Sequence, residues 1–121
     1  MTGTASTGAW AEAEAAAYLQ RQGLRLLARN FRCRVGELDL VMSDGATLVF
    51  IEVRSRSSDR FGTALESVTP AKQRRLLAAA RAFLSRHRHG DATCRFDVIS
   101  VTKRHYSPDF HWVKNAFGQH T

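Results

Sequence analysis

Asp39 and Glu52 stand inside GELDLVMSDGATLVFIEVRSR, residues 36–56, a run otherwise rich in strand-forming apolar residues, and Arg54 and Arg56 close it. Two carboxylates that converge in a partly buried place repel and raise each other's pKa, and a divalent cation relieves the repulsion. A ligand set of oxygens alone suits magnesium or manganese. The same residues also describe a solvated sheet face on which Asp39 and Glu52 pair with Arg54 and Arg56. Geometry alone leaves both readings open.

What must position these side chains is a hairpin. Residues 36–43 and 46–55 are strand candidates, and Asp44-Gly45 between them is a strong two-residue turn signal. With that turn, Ser43 pairs with Ala46 and Asp39 faces Phe50. Glu52 lies two residues further along the partner strand, on the same face, within diagonal reach. Alternation adds Arg54 to that face. Leu38, Leu40, Val49, Ile51 and Val53 form the opposite, apolar face. The polar face then holds Glu37, Asp39, Glu52 and Arg54 around Phe50. A slip of one residue would expose the whole apolar set, so the pattern resists it.

Further elements flank the hairpin. Residues 1–7 are small and polar, and a frayed, flexible N-terminus is expected there. An alanine-rich helix is predicted from Gly8 to Gln22, stopped by Gly23, and a first strand over 24–34. Residues 56–67 read as a loop. Thr69 caps a second helix with Pro70 at its first position, and Leu76, Leu77, Ala80, Phe83 and Leu84 recur at helical spacing until about Arg88–Gly90. Residues 94–101 alternate like a strand, and the tail reads as a short strand followed by a turn or short helix. No repeat or linker divides residues 8–121, so one domain is expected, a sheet between helices.

The chain has 121 residues and a formal net charge of +7. That length buries a core without staples, and the charge favours an anionic partner, nucleic acid being the commonest. A merely basic soluble protein fits the charge equally well. Cys33 and Cys94 make no C-x-x-C pair, which fits a reducing compartment and gives no zinc framework; each is expected buried in its strand. No apolar run approaches a membrane span. The start, MTGTASTGAWAEAEA, lacks the basic-then-apolar pattern of a secretory signal, so a cytoplasmic location is expected.

Taken in order, GELDL, DG, LVFIEVRSR, FG, VTPAKQRRL and RFDVISV resemble the bacterial YraN family. The resemblance extends to AEAEAAAYLQRQGLRLLARNFR at the front and KNAF near the end. That family is similar in fold to PD-(D/E)XK endonucleases and archaeal Holliday-junction resolvases. The resemblance implies an α/β, restriction-endonuclease-like fold: a central mixed sheet with an antiparallel meander, flanked by helices on both faces. It implies Asp39 and Glu52 as metal ligands, completed by the Val53 backbone carbonyl. Glu12 would support the metal from the first helix, with Glu14 its rival at a less fitting spacing. Lys72 and Gln73 would present polar groups from the second helix. The implied cofactor is Mg²⁺ or Mn²⁺, and the implied partner is DNA, branched or flapped. Many resolvases are two-fold dimers, which makes a homodimer an expectation too, although no interface is legible.

One position departs from the nuclease pattern. Lysine belongs two residues after the second acid, and here Arg54 stands there. Arginine stays protonated and cannot act as a base, but it can hold a phosphate oxygen and take up developing charge. A metal-bound water needs less help from a base. The expected activity is therefore metal-dependent cleavage of structured DNA by Asp39, Glu52 and Arg54, with Arg56, Lys72, Gln73, Arg74 and Arg75 on the nucleic acid. The alternatives are a DNA-binding module with a degenerate site, and an RNA- or ribosome-associated basic protein.

Smaller signals carry two readings each. Arg74, Arg75, Arg81, Arg86 and Arg88 describe a solvated helix face singly, and with Arg32, Arg34 and Arg56 a phosphate-tracking surface. His87 and His89 form an H-x-H, and His105 and His111 follow; a surface or phosphate-neighbouring role outweighs a transition-metal site, since no cysteine or carboxylate partner is placed for them. Phe31, Phe61 and Phe110 could stack on bases, with core packing the better reading.

Overall fold

The computed structural model describes residues 3–56, 66–89 and 91–118, with side chains from Gly8 onward. Helix α1 (Gly3–Arg21) opens the chain, starting earlier than the sequence suggests. It ends where Gly23 takes φ +103°, with Leu24 N–H donating to the Leu19 carbonyl and Gly23 N–H to that of Gln20, so a left-handed glycine satisfies the last free carbonyls. Strands β1 (Arg25–Cys33), β2 (Gly36–Asp44) and β3 (Thr47–Arg56) follow as an antiparallel meander. Helix α2 (Pro70–Arg86) crosses over to β4 (Cys94–Thr102), parallel to β3, and β5 (Asp109–Phe117) returns antiparallel. The sheet order is β1-β2-β3-β4-β5. The tail is thus a full strand, not a short strand with a turn or helix. The loop reading falls at 57–65 outside the described residues, as does Phe61.

The two helices cover opposite faces. Small Ala11, Ala15 and Ala16 with Leu19 bring α1 close against Leu40, Met42, Val49, Ile51, Ile99 and Val101. On the other face Leu76, Ala79, Ala80 and Phe83 of α2 pack on Leu38, Val41, Leu48, Phe50, Phe96 and Val98. The result is an α/β sandwich with a mixed five-stranded sheet, as expected. Leu48, Val49, Phe50 and Ile51 are all buried, because a central strand covered on both sides needs apolar residues on both. The Thr69 side chain accepts from Lys72 N–H at 3.2 Å and Pro70 occupies the first helical turn, as Thr-Pro predicts. Among the described residues no helix is long and apolar enough to cross a membrane.

Three features of the hairpin correct the sequence reading. Asp44 pairs with Thr47, leaving Gly45 and Ala46 as the turn. Gly45 has φ +61° and Ala46 has no positive φ, the pattern of a Gly-x type II′ turn. Phe50 consequently faces Val41, not Asp39. Phe50 is also no part of a polar face: α2 covers it, and its ring meets Phe83 and Phe96 edge-on and tilted. Finally, Leu38 and Leu40 do not share a face. Leu38 packs under α2 and Leu40 under α1, because the alternation breaks between them. Opposite the break Asn30, between the Arg29↔Leu40 and Phe31↔Leu38 pairs, is left-handed at φ +53°.

Gly36 fixes the distance of α2 from the sheet. A Cβ there would lie 2.8 Å from the Arg75 carbonyl oxygen, so only glycine lets the β1–β2 turn approach the helix backbone this closely.

Candidate metal and nucleic-acid site

β2 and β3 pair as far as Leu40↔Ile51. Beyond that rung a side chain replaces the ladder: the Val53 N–H donates to Asp39 Oδ2 at 2.9 Å. The N–H and C=O of a strand residue face the same neighbour, so the Val53 carbonyl opens into the same gap. Glu52, 5% exposed, converges on Asp39 closely enough for a carboxyl–carboxylate hydrogen bond. Burial and the Asp39 charge push the Glu52 carboxyl up to about 7. Burial also raises Asp39, and the nearby Glu37 adds to it, against the Val53 N–H and Lys72. Two acids this close resist ionising together.

Glu12 stands on α1 at the same break. Burial and then the Asp39 charge raise its carboxyl, while a hydrogen bond from Asn30 opposes the rise. Of the two rival acids on α1, Glu12 is therefore the one beside Asp39. It belongs to the neighbourhood of the pair without closing a cage: among the described residues no three Asp, Glu, His or Cys side chains are gathered for a metal. Asp39, Glu52 and the Val53 carbonyl form an oxygen-only donor set whose mutual repulsion a divalent cation would relieve, and in that sense they fit one.

Two cations hold Glu52 instead. Arg54 Nη2 lies 3.1 Å and Lys72 Nζ 3.7 Å from Glu52 Oε2. Lys72 thus reaches the site from α2 as predicted. Gln73 does not: its side-chain N–H donates to the Val68 carbonyl at 3.0 Å, fastening the approach to α2. Arg56 Nη2 donates to Ser67 Oγ at 3.4 Å. Next to Lys72 a cleft of about 450 Å³ opens between the β1–β2 turn and α2, lined by Arg32, Arg34, Val35, Glu37 and Arg75 among others. Arg75 is therefore brought to the site's edge. Arg74 is exposed outside it.

The remaining signals resolve structurally. His87 Nδ1 lies 3.0 Å from the Phe83 carbonyl, and its ring stacks on Phe83 at the end of α2. Phe31 packs edge-on against Phe83 beneath Arg86, and Phe110 stacks on Tyr18. Cys33 and Cys94 are half-buried, not fully buried; their thiols donate to the Gly36 and Ala92 carbonyls. The sequence reading missed Asp97. It is fully buried on the α1 face and accepts from Arg95 Nε at 3.1 Å, Trp112 Nε1 at 2.9 Å and the Asn115 N–H at 2.9 Å. An acid at an inward position of an otherwise apolar strand was the available signal.

The uncharacterised protein family UPF0102 matches residues 11–101. The chain belongs to the UPF0102 family. The matched span holds every carboxylate of the site, from Glu12 to Glu52, together with Lys72 and Ser100. The UPF0102 protein RSc3265 of Ralstonia nicotianae is 53% identical over 120 residues, covering 96% of this chain and 89% of the relative. The UPF0102 protein NE0719 of Nitrosomonas europaea is 48% identical over 119 residues, covering 98% and 99%. A UPF0102 protein of Stutzerimonas stutzeri is 50% identical over 118 residues, covering 97% and 98%. The YraN resemblance names this same family.

Proposed function

We propose that this UPF0102 protein is a divalent-metal-dependent nuclease of restriction-endonuclease-like fold, acting on branched or flapped DNA. The observation that carries the reading is the meeting of Asp39 and Glu52 where β2 and β3 part, with the Glu52 carboxyl raised to about 7, beside a basic cleft. Perturbed carboxylates at an opening of the fold mark sites built for chemistry. Asp39, Glu52 and the Val53 carbonyl would hold Mg²⁺ or Mn²⁺, with Glu12 steadying it through water. The ion would supply a Lewis acid and a water of lowered pKa.

The protein's own cations do the rest. Arg54 replaces the lysine of the nuclease pattern and, being permanently charged, holds a phosphate oxygen. Lys72 brings an ammonium to the same carboxylate from α2, which supplies from another element the amine that position 54 lacks. Arg32, Arg34 and Arg75 line the route of the strand away from the centre.

The test is cleavage of labelled duplex, flapped and four-way-junction DNA with Mg²⁺ or Mn²⁺. Cutting is expected in the wild type, absent in Glu52→Ala, and faster in Arg54→Lys. Metal-dependent cutting that survives Glu52→Ala would remove this site from the reaction. A second reading, a binding module without catalysis, draws on the two cations already seated on Glu52. It predicts DNA affinity unchanged in Glu52→Ala and no cutting with any metal.

A further inference from the structure

Beyond Glu52, the α2 face of β3 carries Arg54 and Arg56 at alternate positions. The parallel ladder sets Ser100 of β4 beside Arg54. Ser100 is 1% exposed. Its Oγ has no hydrogen-bond partner among the described residues, and neither has Nε of Arg54 nor Nε of Arg56, although all three atoms are shut away from solvent. Buried polar atoms are ordinarily paired. The fourth such atom among the described residues, Arg95 Nη2, sits in the separate Asp44–Asp97 network. Three of the four thus fall in one strip.

The chemistry of the strip is specific. All three orphans donate. Two belong to guanidiniums, whose Nη2 atoms are already anchored on Glu52 and Ser67. What completes them is an anionic acceptor with several oxygens, and a tetrahedral phosphate matches two arginine forks and a hydroxyl better than a planar carboxylate does. Side chains two residues apart on a strand stand roughly 6.6 Å from each other, a spacing that lets Arg54 and Arg56 follow neighbouring phosphates of one strand.

We propose that Arg54, Arg56 and Ser100 form a phosphate-binding subsite that holds the phosphodiester next to the one reacting at Glu52. The identity of the ligand rests on the nuclease reading above; the phosphate site itself does not. The strip is closed to solvent in the free protein, so binding requires the side chains around Ser100 to open; the Ser100 hydroxyl and the Arg56 Nε–H then turn to the phosphate oxygens, and Arg54 bridges this subsite and the metal pair.

Two measurements separate the claims. In the first, ¹⁵N-labelled protein is titrated with inorganic phosphate at ionic strength held constant with chloride. The Arg54 and Arg56 Nε–H resonances and the Ser100 amide shift saturably in the wild type. Affinity falls at least about fivefold in Ser100→Ala and in Arg56→Gln, as the loss of one hydrogen bond to a charged group predicts. Ser100→Ala removes an unpartnered hydroxyl and keeps the fold, which its melting temperature verifies. In the second, an uncleavable oligonucleotide carries a single methylphosphonate, moved along the strand. One position next to the reacting phosphate weakens wild-type binding and adds nothing to the loss in Arg56→Gln. No saturable shift at these three residues overturns the subsite whatever the nuclease assay gives. Shifts with phosphate but no binding of any oligonucleotide keep the subsite and sink the nuclease reading. Losses that add fully at every methylphosphonate position overturn the assignment to a neighbouring phosphodiester.

Discussion

Asp39 Oδ2 takes the hydrogen bond of the Val53 N–H at the point where β2 and β3 separate. One carboxylate thereby does two jobs, finishing a sheet and facing Glu52. The two jobs separate by mutation. Asp39→Asn keeps an acceptor for Val53 and removes the charge; Asp39→Ala also strands a half-buried N–H, at a cost of about 1–3 kcal/mol. Urea unfolding at pH 8 is expected to give Asp39→Asn stability equal to or above wild type, and Asp39→Ala a clear loss. Calorimetry with Mn²⁺ is expected to show binding weakened in both. Binding that ignores Asp39 would refute the metal pair.

Glu52 makes stability depend on pH in an unusual direction. Its native carboxyl is raised to about 7, whereas in the unfolded chain it titrates near 4.3. Between these values the native state holds a proton that the unfolded state has lost, so this group's contribution declines as pH rises from about 4.3 and is fully lost above about 7. Glu52→Gln mimics the protonated form. It is expected to match wild type near pH 4 and exceed it at pH 8 by on the order of 3–4 kcal/mol, read from chemical denaturation across pH. Equal stability at both ends would mean that Glu52 is not held in a strained charge state.

Mn²⁺ should reverse that penalty. A cation that binds the paired carboxylates of the native state raises the melting temperature with the logarithm of its concentration above Kd, and it must displace the proton that the raised Glu52 carboxyl holds. The thermal shift is therefore expected to be larger at pH 8 than at pH 5.5, and absent in Glu52→Gln. A shift of equal size at both pH values would argue for adventitious surface binding.

Gly36→Ala tests the link between the turn and α2. The added Cβ meets the Arg75 carbonyl at 2.8 Å, a backbone atom with little room to retreat. A loss of about 1–3 kcal/mol is expected, together with weaker nucleic-acid binding, because the shift moves Lys72 and Arg75 away from Glu52. Unchanged stability would show that α2 rides freely on the sheet.

Asn30→Ala and Asn30→Gly test the kink opposite Asp39. At φ +53° alanine costs about 1–2 kcal/mol in the left-handed region, and glycine pays no such steric cost. Both lose the bond to Glu12. Unfolding midpoints should rank glycine above alanine; the reverse order would contradict the left-handed backbone.

The parts of this architecture written in periodicity were readable. Thr69-Pro70 announced α2, Gly23 announced the end of α1, and the polar interruptions Asp39 and Glu52 marked the two carboxylates that meet where β2 and β3 part. What could not be read depends on single backbone torsions. Nothing in NFRC says that Asn30 is left-handed, yet that one residue stands opposite the break that sends Leu38 and Leu40 to different faces. A single left-handed residue leaves composition untouched and re-aims the side chains around it. Phe50 was misplaced for a related reason: a strand covered on both faces loses the two-residue rhythm from which exposure is inferred. Asp97 and Ser100 interrupt an apolar strand as visibly as Asp39 does, but the sequence does not say whether such an interruption meets solvent or a partner.

The kinks also bear on how this chain meets copies of itself. β1 and β5 are the two edges of the sheet, where unpaired backbone invites a foreign strand. Each edge carries one left-handed asparagine, Asn30 and Asn115, and one break in register, at Leu26/Ala28 in β1 and around Asn115 in β5, with basic side chains such as Arg29, Arg32 and Lys114. A bent, charged rim is a poor template for continuing a sheet from one molecule into the next. On the proposed function, any two-fold assembly would therefore use surfaces other than these rims and other than the cleft between the β1–β2 turn and α2.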